Sequence, residues 1–194
     1  MIGWLRTVAT TAWRSLTAPT SGVLRAPTAA DLVRQPPGTL WCAPACAVTM
    51  VRVLTGRPGD LAAAQRDLLG TWEPGGTSVE ALASWLDAQP GIAAALIWVG
   101  APGAYEAIRQ ACRGGAYAVP MVWSGGRRGG TIGPETHSLI VYGAADGEVH
   151  IADPLIRADR GHWWRLFATE FESGWCCVPG RGNGLTPIVF VRRR

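Results

Sequence analysis

Three residues of this chain have the types and the order needed to break an acyl bond: Cys42, His137 and Asp153. A cysteine attacks only as its thiolate, and a helix N-terminus lowers a thiol's pKa through its free N–H groups and its macrodipole. Cys42 occupies such a position. The loop Pro36-Pro37-Gly38 precedes it, and Cys42 to Leu54 reads as a helix with Pro44 in the first turn, where a proline is tolerated. His137 and Asp153 belong to a predicted hairpin, with strands His137–Tyr142 and Glu148–Ala152 around Ala144-Ala145-Asp146-Gly147. A turn centred on residue 145 sets His137 opposite Asp153, Leu139 opposite Ile151 and Val141 opposite Val149, all on one face of the pleat. The four aliphatic residues make a core face. The imidazole and carboxylate at its open end are a base and the group that orients it. Read alone, such a His–Asp pair is equally a structural pair, and a cysteine at a helix start is more often a buried structural thiol.

The remaining sulfurs and imidazoles form no rival site. Five cysteines (Cys42, Cys46, Cys112, Cys176 and Cys177) cannot all pair within the chain, and the absence of a CxxC or an HxxxH argues against a zinc site. No metal or other cofactor is expected. Cys46 lies one helical turn beyond Cys42 and packs inward, while Cys176 and Cys177 sit in an apolar segment with no histidine placed to activate them. His150 has the opposite strand parity from His137, and His162 precedes Trp163-Trp164; both read as structural or exposed.

These side chains need elements to hold them. Residues 1–17 place Ile2, Leu5, Val8, Ala9, Ala12, Trp13 and Leu16 at helical spacing, a stripe for packing on the domain, a membrane surface or a partner. Residues 18–40 carry four prolines and read as an extended linker. A weak helix follows around 60–69, and Thr77-Ser78-Val79-Glu80 has the spacing of a capping box that opens a helix with the stripe Val79, Leu82, Ala83 and Leu86. Ile92–Val99 is a strand-length apolar run, and Ala104, Ala107, Ile108, Ala111 and Cys112 mark another helix. Tyr117–Trp123 reads as a strand, with Pro120 arguing for an edge or a bulge. The glycine-rich stretch 124–136 enters His137 directly, as a lid whose Arg127 and Arg128 meet an acidic partner or as a plain solvated loop. A short helix near Trp163–Phe171 and strands near Trp175–Val178 and Pro187–Val191 complete the pattern. Helices first and a mostly antiparallel sheet after them make an α+β fold.

Composition bounds the function classes. At 194 residues, 48% hydrophobic and 16% charged, the chain can bury a core without disulfides or metals and is not a disordered tail. No run of 18 uncharged apolar residues exists, so no transmembrane span is expected, and Arg6 and Arg14 interrupt any signal-peptide core. The 18 basic residues are all arginine and outweigh 14 acids by a net +4, which does not call for nucleic acid.

The stretch WCAPACAVTMVRVLTG resembles the helix-opening motif of the bacteriocin-processing, double-glycine-type cysteine peptidases, and HSLIVYGAADGEVHIADP resembles their second motif, a strand, a turn and a strand ending in Asp-Pro. GTSVEALASWLDAQPGIAA is similar to their middle helix-to-strand segment, and WWRLFATEF with GWCCV to their closing helix and strand, so the likeness spans residues 35–180. The resemblance implies a papain-like cysteine peptidase fold, N-terminal helices packed on an antiparallel sheet. It implies Cys42 as nucleophile, His137 as general base, Asp153 as orienting carboxylate and Gln35 as oxyanion donor. Gln35 lies seven residues before Cys42, and Trp41 and Ala43 stand where such enzymes often carry Asp and Gly.

The expectation is therefore a free-standing thiol hydrolase cleaving peptide or isopeptide bonds, with residues 1–34 an amphipathic segment and linker and 35–194 the peptidase domain. Its partner is a peptide or protein substrate, with protein assembly through the N-terminal segment and a cytoplasmic or particle-associated setting. Two alternatives stay open: a catalytically weak papain-like module kept for binding or assembly, and an amidase or deamidase.

Overall fold

The computed structural model describes residues 24–36, 38–71, 76–123, 136–157, 161–176 and 185–194. Helix α1 (Cys42–Thr55) is buried from Ala43 to Val51, and Gly56 ends it in the left-handed conformation at φ 71°, its N–H returning to the Arg52 carbonyl. Helix α2 (Leu61–Leu68) is capped by Asp60, which accepts the Ala63 N–H. Helix α3 (Val79–Asp87) opens one residue later than the capping-box spacing predicts: Ser78 accepts the Ala81 N–H at 3.1 Å, and the buried Thr77 hydroxyl has no partner. Strand β1 (Ile92–Gly100), helix α4 (Ala104–Arg113), β2 (Tyr117–Trp123), β3 (Thr136–Ser138), β4 (Ile140–Ala145), β5 (Glu148–Arg157), β6 (Gly161–Phe167) and β7 (Leu185–Arg193) follow.

The strands form an antiparallel sheet in the order β1-β7-β2-β4-β5-β6, with β3 also on β2. Alternation along each strand feeds two cores. Tyr117, Val119, Val189 and Val191 pack with α1, α2 and α3, whereas Ala118, Val122, Ile188 and Phe190 pack with α4. The α+β arrangement of helices on an antiparallel sheet is as expected. Among the described residues no helix is long and apolar enough to cross a membrane.

Four expectations need correction. Trp163–Phe167 lies in strand β6, not in a helix, and its burial alternates: Trp164 and Leu166 inward, Trp163, Arg165 and Phe167 outward. His, Trp and Phe suit a half-buried pleated surface, and that preference wins over the helical reading. Phe171–Trp175 is a short π-helical turn, so the strand predicted to start at Trp175 does not start there. Pro120 is in neither an edge strand nor a bulge of its own; β2 lies between β7 and β4. By the β2 register Pro120 falls opposite Leu139, where the facing chain is interrupted between β3 and β4. An imide has no N–H to give the ladder, so an interruption there costs little.

The fourth correction is the hairpin register. Its turn is Asp146-Gly147, both at positive φ (52° and 79°), the two-residue geometry that matches strand twist, and Ala145 pairs with Glu148. That register alone would put residue 137 and residue 153 on opposite faces. A bulge between Val141 and Gly143 inserts one residue and brings Val141 opposite Ile151, where odd positions face odd positions again. His137 is paired with Val122 of β2, and not with Asp153 on β5. The helix expected over residues 1–17, most of the loop 124–136 and Cys177 lie outside the described residues.

Candidate active site

The nucleophile candidate stands where the sequence puts it. Cys42 is the first residue of α1 and is partly exposed, and the preceding Trp41 supplies no side-chain cap to the first turn. His137 and Asp153 are buried, at 1% and 0% exposure. They meet although they are not cross-strand partners: His137 Nε2 is 2.7 Å from Asp153 Oδ1. The same Oδ1 accepts the Leu155 N–H at 2.9 Å, an Asx turn that fixes the carboxylate on its own backbone. With Nε2 on the carboxylate, Nδ1 is the nitrogen left for the thiol. It is buried and has no partner at hydrogen-bond geometry, a looseness common in apo sites.

Thiol and ring are nonetheless close enough to shift each other. Burial pushes the Cys42 thiol up, but the His137 imidazole and the backbone of Ser138 and Ala43 outweigh it, and the thiol lies below its ordinary value. Burial alone would lower His137; the charge and hydrogen bond of Asp153, with Cys42 adding to them, hold the ring above its ordinary value. Both shifts favour the charged form of each partner, and each partner contributes to the other's shift. Cys46 and Cys112 move the opposite way. Burial raises Cys46 well above its usual range, with the charges of Cys42 and Asp153 adding to the effect, and burial alone pushes Cys112 up to about 12.

Gln35 is buried at 5% exposure in the loop that leads to Cys42. The loop turns at Gly38 (φ 77°), and Thr39 returns its hydroxyl to the Pro36 carbonyl at 2.8 Å. Gln35 Nε2 donates one N–H to the Thr39 carbonyl at 2.5 Å, while Oε1 is buried without a partner. A primary amide carries two N–H donors, so one is left over from that contact. Gln35 is also tied to the acid: its backbone N–H donates to the Pro154 carbonyl at 2.7 Å, and it forms a parallel bridge with Leu155. The structure therefore brings Cys42, His137 and Asp153 together and anchors the Gln35 backbone beside the Asp153 segment.

Sequence reasoning passed over His162. It is buried, and its Nδ1 lies 2.8 Å from the Asp153 carbonyl oxygen, so the ring donates there. A lone histidine before two tryptophans carries no pattern that reveals this contact. His150 lies against Tyr142 in an edge-on ring contact.

No protein-family model and no curated protein matches the chain. Among solved structures it is similar to a double glycine motif protease from an AMS/PCAT transporter in complex with the leader peptide, at a TM-score of 0.55 and 16% identity over 89% of this chain and 96% of that one. It is also similar to the peptidase domain of Streptococcus ComA, a bi-functional ABC transporter of a quorum-sensing pathway, at a TM-score of 0.53 and 21% identity over 84% of this chain and 98% of that one. The fold is that of these papain-like peptidase domains.

Proposed function

We propose that this chain is a cysteine peptidase-type hydrolase acting on peptide bonds, with 35–194 as its catalytic domain. The observation that carries the reading is the buried His137–Asp153 contact beside a helix-start thiol whose pKa is lowered while the other described thiols that shift are raised. Cys42 Sγ, as thiolate, attacks the carbonyl carbon of the scissile bond. The oxyanion of the tetrahedral intermediate takes the Cys42 backbone N–H and the second Gln35 amide N–H. His137 gives its Nδ1 proton to the leaving amine, which departs and leaves a thioester on Cys42. Water then attacks the thioester, His137 takes its proton, the C–S bond breaks, and the acid leaves with the Cys42 thiolate and the protonated His137 restored. Asp153 stays ionised throughout, holding the ring's direction and its positive charge. No step calls on a cofactor.

A peptide substrate fits the fold likeness, since one similar protein was crystallised with its leader peptide. A second reading, a binding module without turnover, is favoured by one observation: Gln35 already donates to Thr39 within its own loop. Alkylation of the native protein tests the hydrolase reading, and turnover on a peptide separates it from a binding module. Iodoacetamide at neutral pH should give a single adduct at Cys42, abolished in Cys42→Ser and much slower in His137→Ala. Equal labelling of all the cysteines, or none at Cys42, overturns the hydrolase reading.

A further inference from the structure

Beyond the groups that would touch substrate, the environment of Asp153 is itself built. Strands β5 and β6 pair regularly up to Ala152 opposite Trp163, and pairing resumes only at Arg157 opposite Gly161. Four residues of β5, 153 to 156, thus stand against the single residue His162 on β6. A bulge of that size takes carbonyls off the ladder, and a buried carbonyl left without a donor is costly. At Asp153 the missing donor is a side chain: His162 Nδ1 reaches the Asp153 carbonyl at 2.8 Å. Pro154 follows and has no N–H of its own to offer. The bulged segment is then held at its other end by the Gln35 N–H on the Pro154 carbonyl and by the Asx turn to Leu155.

We infer that His162 is a positioning residue for the hydrolytic site: its ring N–H replaces the lost ladder bond at Asp153 and so fixes the direction in which that carboxylate meets His137. The inference rests on the Cys42–His137–Asp153 reading above. Asp153 is the first residue of the bulge, so its φ and ψ are set by what holds its carbonyl, and its side chain swings with them. A rotation that lengthens the 2.7 Å contact weakens the support of the imidazolium and, through it, of the thiolate. Among the described residues, His137 from β3 and Cys42 and Cys46 from α1 face this centre, and the His162 ring N–H reaches it from β6.

The test compares His162→Leu with His162→Asn in the full chain. Leu and Asn have the same branched shape and leave the same space where the ring was, but only Asn keeps an N–H donor at the δ position. The readout is the pH dependence of Cys42 alkylation by iodoacetamide, with folding checked by circular dichroism. His162→Leu should move the acid limb up by about one pH unit, about tenfold in rate below the limb, and His162→Asn should restore most of it. In an Asp153→Asn background His162→Leu should add no further shift, because the two act through one group. A purely structural role would lower the melting temperature and leave the limb in place, which overturns the inference. Should His162→Leu not fold, His162→Ala against His162→Asn gives the same comparison. A wild-type limb near about 8.5, the ordinary thiol value, overturns the underlying hydrolase reading instead, and it does so before any variant is made.

Discussion

Replacing Asp153 by Asn removes one charge and almost no volume. The carboxylate is fully buried, 2.7 Å from His137 Nε2, and its Oδ1 also accepts the Leu155 N–H. An amide oxygen can still accept both bonds, so the loss is the charge. With the charge centres about 4 Å apart and an effective dielectric near about 20, the attraction on the imidazolium is about 4 kcal/mol. That is an upper bound, because the variant also escapes the cost of burying the carboxylate, and a net loss of about 1.5 to 3 kcal/mol in the support of the imidazolium is expected. The sign follows from the pairing: a ring that holds its proton less tightly stabilises the thiolate less, so Cys42 becomes a thiolate only at higher pH. The acid limb of iodoacetamide alkylation, followed at Cys42 by mass mapping, should rise by about one to two pH units, and alkylation below the wild-type limb should slow by about 10- to 100-fold. Turnover on a peptide substrate should fall at least as far. A limb within about 0.3 unit of wild type would mean that the buried contact does not act on the thiol, and the electrostatic argument would be wrong.

Gln35→Ala should lower turnover by about a hundredfold while leaving Cys42 alkylation unchanged, because an oxyanion donor acts on the transition state and not on the thiol; an unchanged rate would assign the oxyanion to other donors. Asp31 tests the segment that leads into Gln35: its hydrogen bonds from Arg25 and Thr28 outweigh its burial and hold its pKa at about 2 against an ordinary 3.8. A depressed carboxylate contributes stability above its unfolded value and loses it as pH falls through the folded one. With Arg25 half exposed, Asp31→Asn should cost about 1 kcal/mol at neutral pH, and urea midpoints of variant and wild type should converge as pH drops from 3.8 towards 2. Gly59→Ala should destabilise the domain by about 3 kcal/mol in the same assay, combining a left-handed backbone with overpacking, since Gly59 sits at φ 66° and its new Cβ would meet Val48 Cγ1 at 2.8 Å. Loss of less than about 1 kcal/mol would show that α1 can move aside.

How much of this was legible in the sequence depends on the range of the interactions involved. The start of α1 at Cys42, its stop at Gly56 and the helix α4 follow from residues within a few positions of one another, and all are where local spacing puts them. Chain order and side-chain chemistry were enough to nominate Cys42, His137 and Asp153 together. The register expected to join His137 to Asp153 was nevertheless wrong. Asp146-Gly147 sets the turn later, a bulge at Tyr142 restores parity, and the interruption at Leu139 hands His137 to β2. Bulges and ladder breaks are decided by which strands lie on either side, and no local pattern encodes that. The same reason explains β6, whose tryptophans alternate in and out because β5 pairs with them. Gln35 could be singled out by its distance along the chain from Cys42, but its tie to Pro154 and Leu155 spans more than a hundred residues of sequence and exists only once the sheet has closed. The sequence by itself determined which groups could do chemistry and which helix start would hold the thiol. Tertiary structure decided which imidazole nitrogen meets the carboxylate, and that a second buried histidine holds the carboxylate's backbone, because both depend on contacts between strands far apart in the chain.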